Sequence, residues 1–238
     1  MFILRRTYAD RTIERGYDLT FRAPRDLTPR VIEDDIPSFA HVVLFAPETK
    51  SMFTHIIEVF VADFASSGYA PDITPQSLVT LLQGKTNLLL ALGPKQTPLT
   101  SLASEFSLIL PPPGTPLISH FPKRDTPASV IPIDLPSHPI LTPGTPPIWF
   151  SGISHAIGNN PLLFPIVHAP AESFAADSTE DLSADTLADA ADKGGEGLWA
   201  GSSMAIVSGF QTKTGARATW VGGVELFSDA FARKELSK

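Results

Sequence analysis

The sequence contains no cysteine, and this absence removes several kinds of chemistry at once. Without thiols the chain can form no disulfide, no thiolate metal site and no cysteine nucleophile. Basic residues are scarce as well: 18 Lys and Arg stand against 25 Asp and Glu, and the formal net charge is −7. A nucleic-acid surface needs clustered positive charge to displace counterions from phosphates, so we do not expect nucleic-acid binding.

Long apolar runs are also missing. The N-terminus offers three consecutive apolar residues, Phe2–Leu4, where a signal peptide needs about 7–15. No stretch reaches the roughly 18–20 apolar residues that span a bilayer. We therefore predict neither a signal peptide nor a membrane span within these residues.

The sequence lacks the usual patterns for nucleotides and metals. It has no GxGxxG and no GxxxxGK[ST] motif, and the loop Gly93-Pro94-Lys95 has too little glycine to cradle a phosphate. The acidic run Glu33-Asp34-Asp35 could hold a cation, cap a helix or be simply solvated. The histidines show no HxxxH or other paired spacing that would bring two rings to one metal: His41, His55, His120, His138, His155 and His168. We predict no cofactor, no metal site and no catalytic residue.

What the chain does contain is a clear β-hairpin near its end. The apolar run 204–210 and the run 216–221 flank a polar turn that ends in Gly215. Gly222 and Gly223 then let the backbone leave the sheet, and Ser228-Asp229 can cap a following helix.

Alternating strand and helix patterns fill the first half of the chain. Residues 41–46 (HVVLFA) and 87–92 (NLLLAL) are continuous apolar runs, typical of strands buried on both faces. Thr74-Pro75 and Thr97-Pro98 each start a helix, and Ser107–Leu110 follows as another strand. This order predicts one α/β domain over residues 1–238, with a mostly parallel sheet flanked by helices.

The flanking segments are predicted in less detail. Residues 7–15 form a helix that ends at Gly16, and 17–21 alternate as a strand. Residues 148–150 are predicted to form a strand. Residues 161–167 are apolar but interrupted by prolines, which favours a strand at the edge of the sheet over a central one.

Three segments are predicted to be insertions. Residues 52–68 begin with an amphipathic helix that either packs on the sheet or is foreign to the fold. Residues 111–147 hold twelve of the 23 prolines and are expected to be a long surface excursion. Residues 171–197 are rich in Asp and Glu, and we predict a disordered acidic loop.

One motif raises the possibility of catalysis. Gly152-Ile-Ser154-His-Ala156 approaches the Gly-x-Ser-x-Gly elbow of α/β serine hydrolases, with Ser154 as the nucleophile. The elbow needs a helix directly after the serine, yet Gly158, Asn159-Asn160 and Pro161 break any helix within one turn. The alternative is a turn that closes the edge of the sheet.

Several pieces of the sequence, in order and at the right spacing, resemble the oligosaccharyltransferase 48-kDa subunit family, which includes the fungal Wbp1 proteins. The matching pieces are RGYDLTF (15–21), HVVLFAP (41–47), ITP (73–75), LLLAL (88–92), Gly152-Ile153 with His155, Asn160-Pro-Leu162, and SGFQTKTGARATWVGGVELFSDAF (208–231).

The resemblance implies a function and a setting. Members of that family are non-catalytic subunits of the endoplasmic-reticulum complex that transfers a lipid-linked oligosaccharide to asparagine. Their luminal region resembles glutamine-amidotransferase-like, or flavodoxin-like, α/β domains without the catalytic residues. The expected partners are the other subunits of the complex, including the catalytic one. The resemblance also implies that this chain is incomplete and that a C-terminal membrane segment lies outside it.

Overall fold

The structure is a computed structural model that describes residues 16, 18–23, 26–45, 72–121, 128–135, 147–175, 199–227 and 231. The predicted helices at 7–15 and after 228–229, the segment 52–68 and most of the acidic segment 171–197 lie outside these residues. Their predictions are therefore untested. The start of the predicted disordered loop 171–197 is an exception, because Ser173–Ala175 form a strand paired with Leu117–Ser119.

The described residues form short strands and two α-helices, α1 (Pro75–Gln83) and α2 (Pro98–Glu105). The strands in chain order are β1 (Ile32–Glu33), β2 (Ile36–Pro37), β3 (His41–Phe45), β4 (Asn87–Ala91), β5 (Leu108–Ile109), β6 (Leu117–Ser119), β7 (Ile131–Ile133), β8 (Ile148–Phe150), β9 (Ala156–Ile157), β10 (Leu163–His168), β11 (Ser173–Ala175), β12 (Ala205–Gln211) and β13 (Arg217–Val221).

Five of these strands form the central sheet, in the order β10-β12-β13-β4-β3. Strands β3, β4 and β13 run parallel, whereas β12 runs antiparallel to both of its neighbours. The α/β class is confirmed, but the sheet is mixed rather than mostly parallel. The reason is the hairpin β12–β13, which turns the chain back within the sheet and places an antiparallel strand beside the parallel ones.

The two helices begin where the sequence predicts. Thr74 caps α1, since its Oγ accepts a hydrogen bond from the N–H of Ser77 at 3.1 Å. Pro75 occupies the first turn, and Gly84 ends the helix. At Pro75 the missing N–H removes no hydrogen bond, because the first-turn donors have no partner inside the helix.

Both helices pack on one face of the sheet. Alternate residues of the three parallel strands point to that face and join one core cluster with the helices: Val42, Leu44, Leu88, Leu90, Ala218, Trp220, Leu78, Leu81, Leu82, Leu99, Leu102 and Ala103. Val43, Leu89 and Thr219 lie in register on the opposite face and are only half-buried.

A second core cluster includes part of the proline-rich segment. Leu117, Ile131 and Ile133 are fully buried and pack with Phe150 and Ile206. The prediction of a surface excursion over 111–147 is therefore wrong for strands β6 and β7. In β7 the alternation of a strand turns both isoleucines inward, while the proline between them is exposed. Its missing donor is tolerated because, among the described strands, β7 pairs with β8 alone.

Two other strand predictions differ from the structure. Residues 18–21 of the predicted strand 17–21 form no strand. They lead into Arg22, whose guanidinium forms a two-point ion pair with Asp72 at 2.7 and 3.1 Å. The strand predicted at Ser107–Leu110 exists as β5, but it pairs with β9 outside the central sheet.

Candidate functional site

The loop that carries Ser154 lies against the end of strand β13. The N–H of Ile153 donates a hydrogen bond to the carbonyl oxygen of Gly222 at 2.7 Å. On the other side of the loop, the N–H of Leu117 donates to the carbonyl oxygen of Gly152, also at 2.7 Å. The loop is thus held between β13 and β6, at the carboxyl end of the parallel strands.

Three glycines make this approach of two backbones possible. A Cβ placed on Gly222 would overlap the carbonyl oxygen of Ile153, and one placed on Gly223 would overlap that of Ser151. Gly152 also has a positive φ, and a Cβ there would overlap the carbonyl oxygen of Gly222. Any larger residue at these positions would push the loop away from the strand.

This location matters because open α/β sheets bind ligands in the crevice beyond the carboxyl ends of their parallel strands. Here the chain's own loop Gly152–His155 fills the part of that crevice next to β13. The contact is made by backbone groups at hydrogen-bond distance, so no ligand fits between them.

His155 is the buried ionisable group of the loop. Its N–H and carbonyl oxygen each form a 2.8 Å hydrogen bond with Ala205, which places the ring above β12. The ring Nε2 lies 2.5 Å from the Oγ of Ser208. Burial lowers the pKa of His155 from 6.5 to about 4, because the charged imidazolium would lose its hydration. The ring is therefore neutral at pH 7.

Two further polar atoms are buried near the same strands. Trp220 lies directly opposite Ser208 in the β12–β13 register. Its indole Nε1 and the Nδ1 of His155 have no hydrogen-bond partner among the described residues. Sequence reasoning did not find this His155–Ser208–Trp220 group, because its members lie far apart in the chain and only the strand register brings them together.

The structure does not form a hydrolase elbow at Ser154. The side chain of Ser154 is fully buried, and its Oγ has no hydrogen-bond partner within the described part of the chain. The Nε2 of His155 lies against Ser208 instead, and among the described residues no base is bonded to Ser154. The motif continues into the short strand β9 and a turn, not into a helix. Ser154 therefore lacks the exposure and the activating base that a nucleophile needs, and the hydrolase interpretation has no support.

A groove of about 1040 Å³ lies elsewhere, alongside the edge strand β3. Its described lining includes residues 18–22, all of β3, the first three residues of β4, and Arg217 and Thr219 of β13. It does not include Ser154 or His155. At its rim the Nδ2 of Asn87 lies 3.3 Å from the Nδ1 of His41. His41 on β3 thus contacts the neighbouring strand β4 at this point.

The acidic run stands at the tip of the β1–β2 hairpin. Asp34 and Asp35 occupy the turn with φ of 48° and 63°. Over the residues that the structure describes, no three His, Asp or Glu side chains are grouped to hold a metal ion. In the same residues no helix has the length and apolar character needed to cross a membrane.

Fold and loop together define an α/β domain with a mixed sheet, in which the chain itself occupies part of the usual ligand crevice. Comparison with known proteins gives the particular family. The family described as OST48, N-terminal domain, matches residues 6–238, and the chain belongs to this family. The resemblance noted in the sequence is confirmed.

Two curated relatives are similar over most of the chain. The dolichyl-diphosphooligosaccharide–protein glycosyltransferase 48 kDa subunit of Danio rerio is 24% identical over 235 residues, which cover 94% of this chain and 47% of the relative. The glycosyltransferase subunit wbp1 of Schizosaccharomyces pombe is 21% identical over 233 residues, with the same two shares. The chain thus spans about half the length of the curated relatives it matches.

Proposed function

We propose that this domain is a non-catalytic, structural part of a subunit of the oligosaccharyltransferase complex, and that it supports N-linked glycosylation of nascent proteins. It acts on the luminal side of the endoplasmic-reticulum membrane. Its partners are the other subunits, including the catalytic one. Attachment to the membrane is supplied by a segment outside these residues.

The match to the OST48 N-terminal domain family over residues 6–238 carries this proposal. The printed names of both relatives describe subunits of a glycosyltransferase. A shared domain over nearly the whole chain supports the same place in the same kind of complex.

The geometry of the loop supports the non-catalytic part. Ser154 is buried without a base, and His155 is buried with a pKa of about 4. A general base works best with a pKa near the working pH and within reach of the substrate, and His155 has neither property. The glycine contact of Gly152 with Gly222 and Gly223 further supports a role in holding the domain together.

The test is a Ser154→Ala change in the full-length protein, expressed in its own cells. The purified complex is assayed for transfer of oligosaccharide to an acceptor peptide. We expect unchanged transfer per assembled complex, because the Oγ of Ser154 contacts no polar partner among the described residues and cannot be reached. Lost transfer with intact assembly would overturn the proposal. Labelling of Ser154 by a fluorophosphonate probe would instead support a hydrolase.

A further inference from the structure

The groove beside β3 opens onto the face of the sheet opposite the helices. Val43, Leu89 and Thr219 lie in register across this face and line the groove. We refer to this surface of β3, β4 and β13 as the groove face. All three side chains are only half-buried, although parallel strands normally lie in sheets with both faces covered. The described residues therefore leave the groove face incompletely covered.

The Asp and Arg side chains at the groove balance one another. The guanidinium of Arg22 is paired with the carboxylate of Asp72. Asp18 and Arg217 also line the groove, and both are exposed. These four side chains together carry no net charge, so the groove does not favour a partner of either sign. The groove face instead favours an occupant with an apolar surface.

A segment of the chain itself starts and ends at this groove. Phe45, the last residue of β3, and Ile73, just before α1, both line the groove, and residues 46–71 lie between them in the sequence. Seven residues, 46–52, can span up to about 23 Å. Strands β3 and β13 are two strand spacings apart, which is about 10 Å. The chain beyond residue 52 can therefore reach all three strands of the groove face.

The sequence of this segment fits the groove face in size and in chemistry. A helix over residues 53–64 is about 18 Å long and about 10 Å wide, comparable with the width of three strands. Glu58 lies away from the apolar stripe of this helix, and Asp63 lies at its border, where it can face the exposed Arg217. In water the stripe would form an exposed apolar patch. It consists of six large side chains at helical spacing: Phe53, Ile56, Ile57, Phe60, Val61 and Phe64.

The other segment that adjoins the groove is less suitable. Residues 1–15 lead to Gly16, which lines the groove. Their predicted helix, 7–15, offers Tyr8 and Ile13 as its large apolar side chains. Burying this helix on the groove face would also desolvate charges that stand close to these two residues, which is costly without partners. The charged residues of this helix are Asp10, Arg11, Glu14 and Arg15.

We propose that residues 52–64 form an amphipathic helix whose apolar stripe packs on the groove face. The domain then has three layers, with α1 and α2 on one side of the sheet and this helix on the other. Side chains of the chain itself fill the groove, so the groove is not a ligand pocket or a docking surface for another subunit. The packing of this helix is independent of the proposed function.

The first experiment places the photo-crosslinker p-benzoylphenylalanine at Thr219 in the purified full-length protein. The matched control places it at Phe121, which is 67% exposed and does not line the groove. We expect position 219 to crosslink within the same chain to residues 52–64, located by tandem mass spectrometry, and position 121 to give no such product. Crosslinks from position 219 to residues 1–15, to another protein or to lipid, with none to 52–64, would overturn the inference. Absence of residues 52–64 from the purified protein would overturn it as well.

The second experiment adds Phe60→Asp or His55→Asp to the protein that carries the crosslinker at Thr219. At helical spacing Phe60 lies within the apolar stripe and His55 on the opposite side of the helix. We expect Phe60→Asp to lower the yield of the 219-to-52–64 crosslink about tenfold and His55→Asp to leave it unchanged. Equal yields from the two variants would show that the stripe does not hold the helix on the groove face. If Phe60→Asp prevents folding, Phe60→Ala replaces it in the comparison.

Discussion

The buried imidazole of His155 couples the stability of the domain to pH. The folded-state pKa is about 4, whereas an unfolded histidine titrates near 6.5. Between these values the unfolded state binds more protons than the folded state, so stability falls as the pH decreases. Above about pH 6.5 the full stability is present.

The first prediction follows from this difference. Lowering the pH from 7.5 to 4 should reduce the free energy of unfolding by about 3 kcal/mol through His155 alone. Urea unfolding at several pH values measures the slope. His155→Asn should remove that part of the slope, and His168→Asn, at an exposed position, should leave it in place. An unchanged slope in the His155 variant would show that the ring is not held neutral by burial.

The second prediction concerns the glycines under the loop. Gly222→Ala should destabilise the domain by about 3 kcal/mol, the upper part of the usual range for overpacking, because its Cβ overlaps the carbonyl oxygen of Ile153. Gly114→Ala is the control: its φ is 88° and nothing lies within 4 Å of the added carbon. Backbone strain alone should cost about 1 kcal/mol there.

Denaturant midpoints of the two glycine variants give this comparison directly. Equal losses would mean that the loop can shift away from β13 without cost. A loop that moves so easily would also weaken the view that Gly152–His155 permanently fills the crevice.

At the scale of elements, local signals were sufficient where neighbours in sequence determine the structure. Thr74-Pro75 and Thr97-Pro98 predicted both helix starts, because capping and the fixed φ of proline act within one turn. The runs that became β3 and β4 were recognisable because they are continuous and apolar, although only the face toward the helices is fully buried and Val43 and Leu89 on the other face are half-buried.

Pairing between distant strands was not predictable in the same way. Nothing near β5 in the sequence indicates that it pairs with β9 instead of joining the central sheet. The antiparallel position of β12 could have been expected from its own hairpin, but not its second antiparallel neighbour β10. In the candidate site, the sequence predicted that the backbone leaves the sheet at Gly222-Gly223. It did not predict the contact of these glycines with Gly152, because that contact depends on how two distant loops are brought together by the fold.

The proline-rich segment shows how composition can mislead. Its proline content predicted a surface excursion, yet Ile131 and Ile133 are 2% and 1% exposed. Every second residue of a strand faces the core, so the prolines can occupy the outward positions without disturbing the burial of the isoleucines.

The third prediction tests this burial. Ile133→Ala should cost about 2–5 kcal/mol, as for other fully buried isoleucines. Pro132→Ala, at the exposed neighbouring position, should change stability by less than about 1 kcal/mol. Thermal or chemical unfolding measures both. A near-zero change in the free energy of unfolding for Ile133→Ala would support the original interpretation of this segment as a surface excursion.

On the scale of the whole molecule, the two core clusters share one sheet. Trp220 on β13 belongs to the cluster under the helices, and Ile206 on β12 belongs to the second cluster. The hydrogen bond between His155 and Ser208 lies on the strand that joins them. If the packing of either cluster is lost, the sheet on which the other cluster also packs is weakened.

The last prediction is that the domain unfolds in one cooperative transition. Both described helices pack on the first cluster, so circular dichroism at helical wavelengths reports that cluster. Trp220 lies in the same cluster, so the fluorescence is measured in a Trp220→Phe background, where Trp199, which packs on the second cluster, contributes the signal from that cluster. Leu81→Ala and Ile206→Ala, at residues that are fully buried in different clusters, should each shift both signals by the same amount. The expected shift is about 2–4 °C in Tm for each kcal/mol lost.

If Ile206→Ala moved only the fluorescence transition, the clusters would be separate folding units, because two-state unfolding requires all probes to change together. Coincident shifts would instead mean that the loop Gly152–His155, which bridges the clusters, is part of a single cooperative core.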